Sequence, residues 1–244
     1  MHTSKLLLIF ALYINNAYIN YYTNPPHKIM TIIFDLDGTL LNTIDDLGYA
    51  CNHALGHCGY PTHAIEEYPR MVGNGINNLI RRALPETERN EENVLKVREF
   101  FVPYYNLHNC DFTCPYKGMP DVLNTLKAQG HKLAVASNKY QAATQKIVSH
   151  FFPDIFDVVF GEREGIPRKP NPQIVYDIIS KLSTLNTQLL YLGDSLVDRD
   201  TAQNAGVPFI ACSWGFVSRQ ALTEAGVTRI IDRPQELLRN TILV

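Results

Sequence analysis

The strongest constraint on the fold is an apolar segment that runs directly into two carboxylates. Residues 31–41 read Thr-Ile-Ile-Phe-Asp-Leu-Asp-Gly-Thr-Leu-Leu. The β-branched and aromatic residues before Asp35 predict a strand that is buried on both faces. Asp35 and Asp37 are two residues apart, so on an extended backbone both would point to one face, and Gly38 allows a sharp turn. Two carboxylates this close repel each other unless a cation or a proton lies between them.

An Asp-Gly pair also begins many ordinary turns. A turn, however, has no need of the earlier Asp35 at the end of a buried strand. We therefore interpret one carboxylate as a nucleophile that a bound metal activates, and the other as a general acid and base. This interpretation requires a metal site and an anion site elsewhere in the chain.

Composition restricts the class of protein. The chain has 244 residues, 45% of them hydrophobic and 19% charged, with a formal net charge of -2. These values are typical of a soluble globular protein that forms one large domain or a core with a smaller insert. The absence of a long basic run predicts a small-molecule partner and no nucleic acid. Five cysteines without a CxxC pair predict no disulfide framework and a cytoplasmic location.

The first 29 residues have a different character from the rest of the chain. Lys5 precedes an apolar run over residues 6–14, as in a signal peptide, but no small-residue cleavage site follows. The run is also too short to span a bilayer, so we predict no stable membrane insertion. Met30 stands directly before the first predicted strand. We interpret residues 1–29 as an extension outside the fold, with export or peripheral anchoring as the alternative.

A long helical block follows the first strand. Apolar residues recur at three- and four-residue spacing from residue 43 to about residue 109, and no strand pattern interrupts them. The block is far longer than the single helix of a usual crossover between parallel strands. We therefore predict a helical cap domain over residues 44–113, inserted into a core domain of residues 30–43 and 114–244. The alternative is that the block is one more layer of the core.

After Lys117 the chain alternates between strand and helix patterns, which predicts a parallel α/β sheet. The predicted strands are Lys132–Ala136, Asp157–Phe160, Gln188–Leu192 and Pro208–Cys212. The predicted helices are Pro120–Gln129, Tyr140–His150, Pro172–Leu182 and one that ends at Ala202–Ala205.

Polar residues follow several of these strands, at the edge of the sheet where ligands bind in open α/β folds. Ser137 and Asn138 offer a hydroxyl and backbone amides for a phosphate. Lys169 offers a cation, and Asp194 and Asp198 offer the carboxylate oxygens that magnesium prefers. Each feature alone has an ordinary explanation, such as a helix cap or a surface lysine. Their placement at successive strand ends favours one common site.

Together these motifs are similar to those of the haloacid dehalogenase (HAD) superfamily. They are Asp-Leu-Asp-Gly-Thr-Leu, Ala-Ser-Asn, Arg-Lys-Pro-Asn-Pro, and Gly-Asp-Ser with a second aspartate four residues later, and the match runs from about Met30 to the C-terminus. The resemblance implies an α/β fold with a Rossmann-like parallel-sheet core and an inserted helical cap. It also implies that Asp35 attacks phosphorus to form an aspartyl-phosphate, while Asp37 protonates the leaving oxygen and later deprotonates water.

The resemblance further implies the cofactor and the anion site. Mg²⁺ would be held by Asp35, the backbone carbonyl of Asp37, and Asp194, with Asp198 helping directly or through water. The transferring phosphoryl group would be neutralised by Ser137, the Asn138 amide and Lys169.

Within the superfamily the chain is similar to phosphoglycolate phosphatases, although Asn42 stands where they usually have an aspartate that is not catalytic. The similarity includes Ser137-Asn138-Lys139 and the glycine-rich cap loop, in which Gly73, Asn74 and Gly75 could bring backbone amides to a small carboxylate. The resemblance implies 2-phosphoglycolate as the substrate. Three cap arginines could also reach it, with surface solvation expected for at least two of them: Arg70, Arg81 and Arg82.

Other functions stay open at this point. A sugar phosphate mutase of the β-phosphoglucomutase kind typically has a histidine where this chain has Leu47. The dehalogenase branch works without metal and lacks the second aspartate, so phosphate chemistry fits better. A pyrophosphatase, a nucleotidase and a non-catalytic binding module are further alternatives. The sequence does not distinguish a monomer from a homodimer.

Overall fold

The computed structural model describes residues 29–185 and 188–239. These residues contain eight strands: β1 (Thr31–Phe34), β2 (Leu41–Asn42), β3 (Cys114–Pro115), β4 (Lys132–Tyr140), β5 (Val158–Glu162), β6 (Leu189–Gly193), β7 (Phe209–Cys212) and β8 (Ile230–Ile231). They also contain eight α-helices: α1 (Ile44–His57), α2 (Ile76–Ala83), α3 (Glu91–His108), α4 (Met119–Ala128), α5 (Gln141–Phe151), α6 (Gln173–Leu182), α7 (Leu196–Ala205) and α8 (Arg219–Glu224).

A six-stranded parallel sheet, in the order β5-β4-β1-β6-β7-β8, forms the centre of the molecule. Strand β1 is central and all four of its residues are buried. Ile32 and Phe34 pack into a cluster with α4, α5 and the helical block, whereas Ile33 packs into a second cluster with α6 and α7. Both faces of the sheet are therefore covered, which explains why parallel strands here are continuous apolar runs. The Rossmann-like α/β prediction is confirmed.

Helices α1, α2 and α3 lie between β2 and β3 in the chain. The two short strands pair antiparallel, with Leu41 opposite Pro115 and Asn42 opposite Cys114. The chain therefore leaves the sheet and returns to it through one two-stranded connection. Within this block the described residues form only helices, turns and loops, as the apolar spacing predicts. The division into a cap of residues 44–113 and a core stays a prediction.

The structure differs from the sequence predictions at several strands. Strand β4 does not end at Ala136 but continues to Tyr140, so Ser137 and Asn138 lie inside it. A register shift between Ala136 and Tyr140 in the pairing with β5 allows these polar residues to stay in the strand. The pair β2–β3 and strand β8 were not predicted, because two-residue strands have no recognisable periodicity.

The predicted N-terminal extension lies outside the described residues, except for Ile29. In the described part of the chain, no helix has the length and apolar character needed to cross a bilayer.

Candidate active site

A cavity of about 290 Å³ lies between the carboxyl ends of the sheet strands and the helical block. Its walls bring together predicted site residues that are far apart in the sequence: Asp35, Asp37, Gly73, Asn74, Gly75, Ser137, Asn138, Lys169 and Asp194. Asp198 is fully buried beside Lys169 and does not line the cavity. The predicted convergence of polar residues at this edge of the sheet is therefore observed.

The two aspartates of the first motif lie just beyond β1, which ends at Phe34. Both residues nevertheless line the same cavity, and the expectation that their side chains share one face of an extended backbone stays a prediction. The Asp35 amide donates to the Leu192 carbonyl at 2.9 Å, which continues the pairing with β6. Gly38 then has φ +82, and a Cβ there would lie 2.3 Å from Asp194. Glycine is required because the turn packs directly against that carboxylate.

Lys169 holds a buried ammonium between two carboxylates. Its Nζ lies 2.9 Å from Oδ1 of Asp35 and 2.7 Å from Oδ1 of Asp198, and donates to the Ala136 carbonyl at 2.8 Å. Burial lowers the pKa of this ammonium, but Asp198 and Asp35 oppose the effect and the net shift of the pKa is upward. Lys169 is therefore a permanent positive charge beside Asp35.

Three carboxylates form an acidic cluster in which ligand atoms lie within 4.8 Å of one another: Asp35, Asp194 and Asp198. Burial and the charge of Asp198 raise the pKa of Asp194 to about 7. Burial, Asp198 and Asp194 also raise the pKa of Asp35, against the opposing effect of Lys169. Carboxylates crowded in this way favour either protonation or a hard cation, and an all-oxygen donor set suits Mg²⁺. The residues present fit the predicted metal.

Neighbouring groups hold the other two members of the cluster in place. Asp194 accepts from the Thr39 hydroxyl at 3.2 Å and from the Phe216 amide at 2.8 Å. Asp198 accepts from the Ser195 hydroxyl at 2.5 Å, in the capping box that begins α7. The carboxylate of Asp37 is not part of the acidic cluster found among the described residues. Its Oδ1 accepts from the Thr43 hydroxyl at 2.6 Å instead.

Ser137 and Asn138 differ in how their side chains are used. Ser137 is buried in the cavity wall, and its Oγ accepts the Lys139 amide at 3.1 Å. The Asn138 side chain instead bridges to the Lys169 backbone, accepting from its amide at 2.9 Å and donating to its carbonyl at 3.1 Å. The Asn138 side chain thus positions the loop that carries Lys169, a role that the sequence did not reveal.

The glycine-rich cap loop forms part of the cavity wall. Asn74 has φ 62, and Gly73 and Gly75 also have positive φ, so this loop needs residues that tolerate a left-handed backbone. Arg82 braces it, because its Nη1 donates to the Met71 carbonyl at 2.8 Å and to the Gly73 carbonyl at 3.0 Å.

The other two arginines considered as cap cations lie outside the cavity lining. Arg70 is exposed, and Arg81 pairs with Glu91. The expectation of surface solvation for two of the three arginines is consistent with this placement.

Two residues of the site were missed by sequence reasoning. Lys139 lines the cavity with its Nζ 2.9 Å from Oδ1 of Asp37 and 2.9 Å from the Tyr105 hydroxyl. The available signal was the spacing, since Lys139 is two residues after Ser137 and a strand that continued would place both on one face. Nothing in the sequence pointed to Tyr105, which reaches the site from α3.

Comparisons with known proteins agree with this geometry. The family model for haloacid dehalogenase-like hydrolases matches residues 32–212. The phosphoglycolate phosphatase of Haemophilus influenzae (strain 86-028NP) is 32% identical over 212 residues, covering 84% of this chain and 95% of the relative.

Solved structures show the same similarity. The crystal structure of a protein from Lactobacillus delbrueckii subsp. bulgaricus has a TM-score of 0.83 and 34% identity, covering 89% of this chain and 99% of the other. A predicted phosphoglycolate phosphatase from Haemophilus somnus 129pt has a TM-score of 0.80 and 28% identity, covering 88% and 98%. The family match includes both aspartates of the first motif, the Lys169 loop and the acidic cluster. The chain belongs to the haloacid dehalogenase-like hydrolase family.

Proposed function

We propose that the chain is a magnesium-dependent phosphatase that hydrolyses a small phosphorylated acid, with 2-phosphoglycolate as its substrate. The observation that carries this proposal is the Asp35 carboxylate, which lies at the end of the central strand, 2.9 Å from the Lys169 ammonium, in the wall of the cavity. The substrate assignment is supported by the relative from H. influenzae, which is a phosphoglycolate phosphatase.

In the proposed mechanism Asp35 attacks phosphorus and forms an aspartyl-phosphate. Asp37 gives a proton to the departing ester oxygen, and then takes a proton from the water that cleaves the aspartyl-phosphate. The hydroxyl of Thr43 and the ammonium of Lys139 both contact Oδ1 of Asp37, which orients this carboxylate toward the cavity. Glycolate and inorganic phosphate are the products.

Charge on the transferring group is balanced by groups that are already in position. Lys169 is anchored by the Ala136 carbonyl and the Tyr191 hydroxyl, at 2.8 and 3.2 Å. Ser137 would donate its hydroxyl, and Asn138 its backbone amide, to the phosphoryl oxygens. Donors that are fixed before the reaction lower the barrier because no reorganisation is needed as charge develops.

Mg²⁺ is proposed to bind at the acidic cluster, with the Asp37 backbone carbonyl as a further ligand. The supporting observation is that ligand atoms of these three carboxylates lie within 4.8 Å of one another. Burial and the neighbouring carboxylates raise the pKa of Asp35 and of Asp194, so a cation there would stabilise the ionised forms. When bound, Mg²⁺ would neutralise and orient the phosphoryl group. Asp198 accepts from Lys169 and Ser195, so it would act on the ion directly or through water.

Residues 44–113 are proposed to act as a cap domain on a core of residues 30–43 and 114–244. The loop of Gly73, Asn74 and Gly75 lies in the cavity wall, where its backbone would contact the substrate. A cap that closes over Asp35 excludes bulk water during attack and has to open for product release. We also propose a cytoplasmic location and a monomer or homodimer, and the five free cysteines agree with a reducing compartment.

The experiment that tests this function is phosphate release from 2-phosphoglycolate, pyrophosphate, nucleoside monophosphates and sugar phosphates, with Mg²⁺ and with a chelator. The expected result is a preference for 2-phosphoglycolate that the chelator abolishes. Preference for pyrophosphate or a nucleotide would show that the protein is a pyrophosphatase or a nucleotidase and would contradict 2-phosphoglycolate as the substrate. Interconversion of β-glucose 1-phosphate and glucose 6-phosphate without phosphate release would contradict the proposal and favour a mutase, despite Leu47 in the cavity wall.

A further inference from the structure

Lys139 is a buried cation in the cavity wall, and the proposed phosphatase mechanism gives it no contact with the substrate. Lys139 is only 6% exposed and is contributed by β4, two residues beyond Ser137. A buried ammonium is costly unless charged or polar partners surround it, so its position in a ligand cavity requires an explanation.

The partners of Lys139 come from both sides of the cavity. Its Nζ lies 2.9 Å from Oδ1 of Asp37 in the core and 2.9 Å from the Tyr105 hydroxyl of α3. These are its polar partners among the described residues, so one of the three ammonium N–H groups is left for a ligand. The ion pair with Asp37 keeps the Lys139 ammonium charged.

The other two cations of the described cavity lining have different partners from Lys139. Lys169 lies between the carboxylates of Asp35 and Asp198. Arg82 uses its Nη1 on the backbone carbonyls of the cap loop. Lys139 alone, among the cations of the described lining, lies against Asp37, where the ester oxygen of the substrate would depart.

We propose that Lys139 is the residue that recognises a carboxylate on the leaving group and so selects a phosphorylated acid over a neutral phosphate ester. This inference rests on the proposed function. In 2-phosphoglycolate a single methylene separates the carboxylate from the ester oxygen. If Asp37 contacts that ester oxygen, then the substrate carboxylate lies within reach of a cation that touches Asp37. Lys139 also separates two carboxylates that would otherwise repel each other.

The test compares two esters that differ at one group. Ethyl phosphate has a methyl group where 2-phosphoglycolate has its carboxylate, and the ratio of their kcat/KM values measures recognition of that carboxylate. In Lys139→Met we expect this ratio to fall by about 10- to 100-fold, the range for loss of a charged hydrogen bond. An equal fall for both esters would overturn the inference, because Lys139 would then act only through Asp37.

Lys146→Met is the matched control. Lys146 also links the core to α3, since it donates from α5 to the Asn106 carbonyl at 2.5 Å, but it is exposed and lies outside the cavity lining. The ratio should stay within about two-fold of wild type, because an exposed charge contributes little. A fall comparable with that of Lys139→Met would mean that the core-to-cap link, and not the ligand cation, sets the preference, and would also overturn the inference.

A second variant covers the case in which Lys139→Met does not fold. Tyr105→Phe removes the hydroxyl that orients Lys139 and keeps both the charge and the aromatic ring. We expect the inhibition constant of glycolate to rise by about three- to ten-fold, with that of inorganic phosphate unchanged. A parallel change in both constants, or in neither, would contradict a role in carboxylate binding.

The outcomes separate this inference from the proposed function. If the wild-type protein releases phosphate from no ester, the proposed phosphatase fails and the Lys139 inference falls with it. If the wild type hydrolyses 2-phosphoglycolate and ethyl phosphate equally well, the phosphatase stands and the Lys139 inference alone is wrong.

Discussion

At the scale of single residues, the site depends on opposite charges packed where water is excluded. Lys169 is 5% exposed and contacts Asp35 and Asp198. Loss of both carboxylates would leave the Lys169 ammonium buried and unpaired, which is strongly destabilising, whereas loss of the Asp35 charge alone leaves the pair with Asp198. The ion pairs therefore fix the position of the proposed nucleophile before any substrate binds.

The variant Asp35→Asn tests the nucleophile. The amide has the same shape but cannot attack phosphorus, so we expect phosphate release to fall by about 1,000-fold or more. The measurement is kcat with 2-phosphoglycolate, together with thermal unfolding to show that the fold is retained. Asp45→Asn, a neutral change in the first turn of α1, is the control and should remain active. Turnover by a folded Asp35→Asn protein at the wild-type rate would show that Asp35 is not the nucleophile.

At the scale of elements, the pair β2–β3 is the connection through which the helical block joins the sheet. Asp46, in the first turn of α1, is 2% exposed and ties this connection together. Its carboxylate accepts from the Phe112 amide at 3.0 Å, and from the amide and hydroxyl of Thr113 at 2.9 and 2.6 Å. The segment that enters the block is thus bonded to the segment that leaves it.

Asp46→Ala should destabilise the protein by about 3 kcal/mol, because three donors lose a charged acceptor in a buried place. The measurement is the free energy of unfolding in urea. The control Asp45→Ala removes an acidic residue from the same turn and should cost less than about 1 kcal/mol, as expected for a charge near a helix N-terminus. Equal losses of unfolding free energy in the two variants would show that the hydrogen bonds from residues 112 and 113 to Asp46 add no stability beyond the contribution of Asp45.

At the scale of the whole molecule, the cavity exists only because the helical block and the sheet edge face each other. Residues of α1, α2 and α3 belong to the same apolar cluster as Ile32 and Phe34 of β1. The acidic cluster proposed to bind Mg²⁺, in contrast, contains no residue of the helical block and buries three carboxylates close together. The ionisation state of these three carboxylates should therefore affect the free energy of unfolding of the whole protein.

The metal-free protein should become less stable as the pH rises. The pKa of Asp194 is raised from its ordinary value of 3.8 to about 7, so between these values the folded state binds a proton that the unfolded state releases. The stabilisation is present in full below about pH 4 and is lost as the pH rises through about 7. Mg²⁺ should compensate, because at the proposed site it would bind the ionised carboxylates of the folded state.

Thermal unfolding at pH 5 to 8, with Mg²⁺ and with a chelator, measures this effect. The increase in Tm on adding Mg²⁺ should be larger at pH 8 than at pH 5. Asp194→Asn is the control, since it removes the titrating group and should reduce the pH dependence of the metal-free protein. An increase in Tm that is the same at every pH would contradict the prediction.

The sequence by itself determined the fold class and most of the polar side chains that line the cavity. Strand β1 is an uninterrupted apolar run, and Asp35, Asp194 and Lys169 follow recognisable local patterns, so neighbouring residues were sufficient to predict them. The helical block was equally visible from its spacing. These features depend on interactions between residues that are close along the chain.

Only the tertiary structure decided which side chains meet. The Lys139–Tyr105 contact joins residues 34 positions apart, and the Asn138–Lys169 bridge joins residues 31 positions apart. The extension of β4 to Tyr140 depends on its pairing with β5. Such contacts are set by the packing of whole elements against one another, and β-strand pairing depends on cross-strand neighbours more than on local propensity. No local pattern encodes them, so they could not be predicted from the sequence.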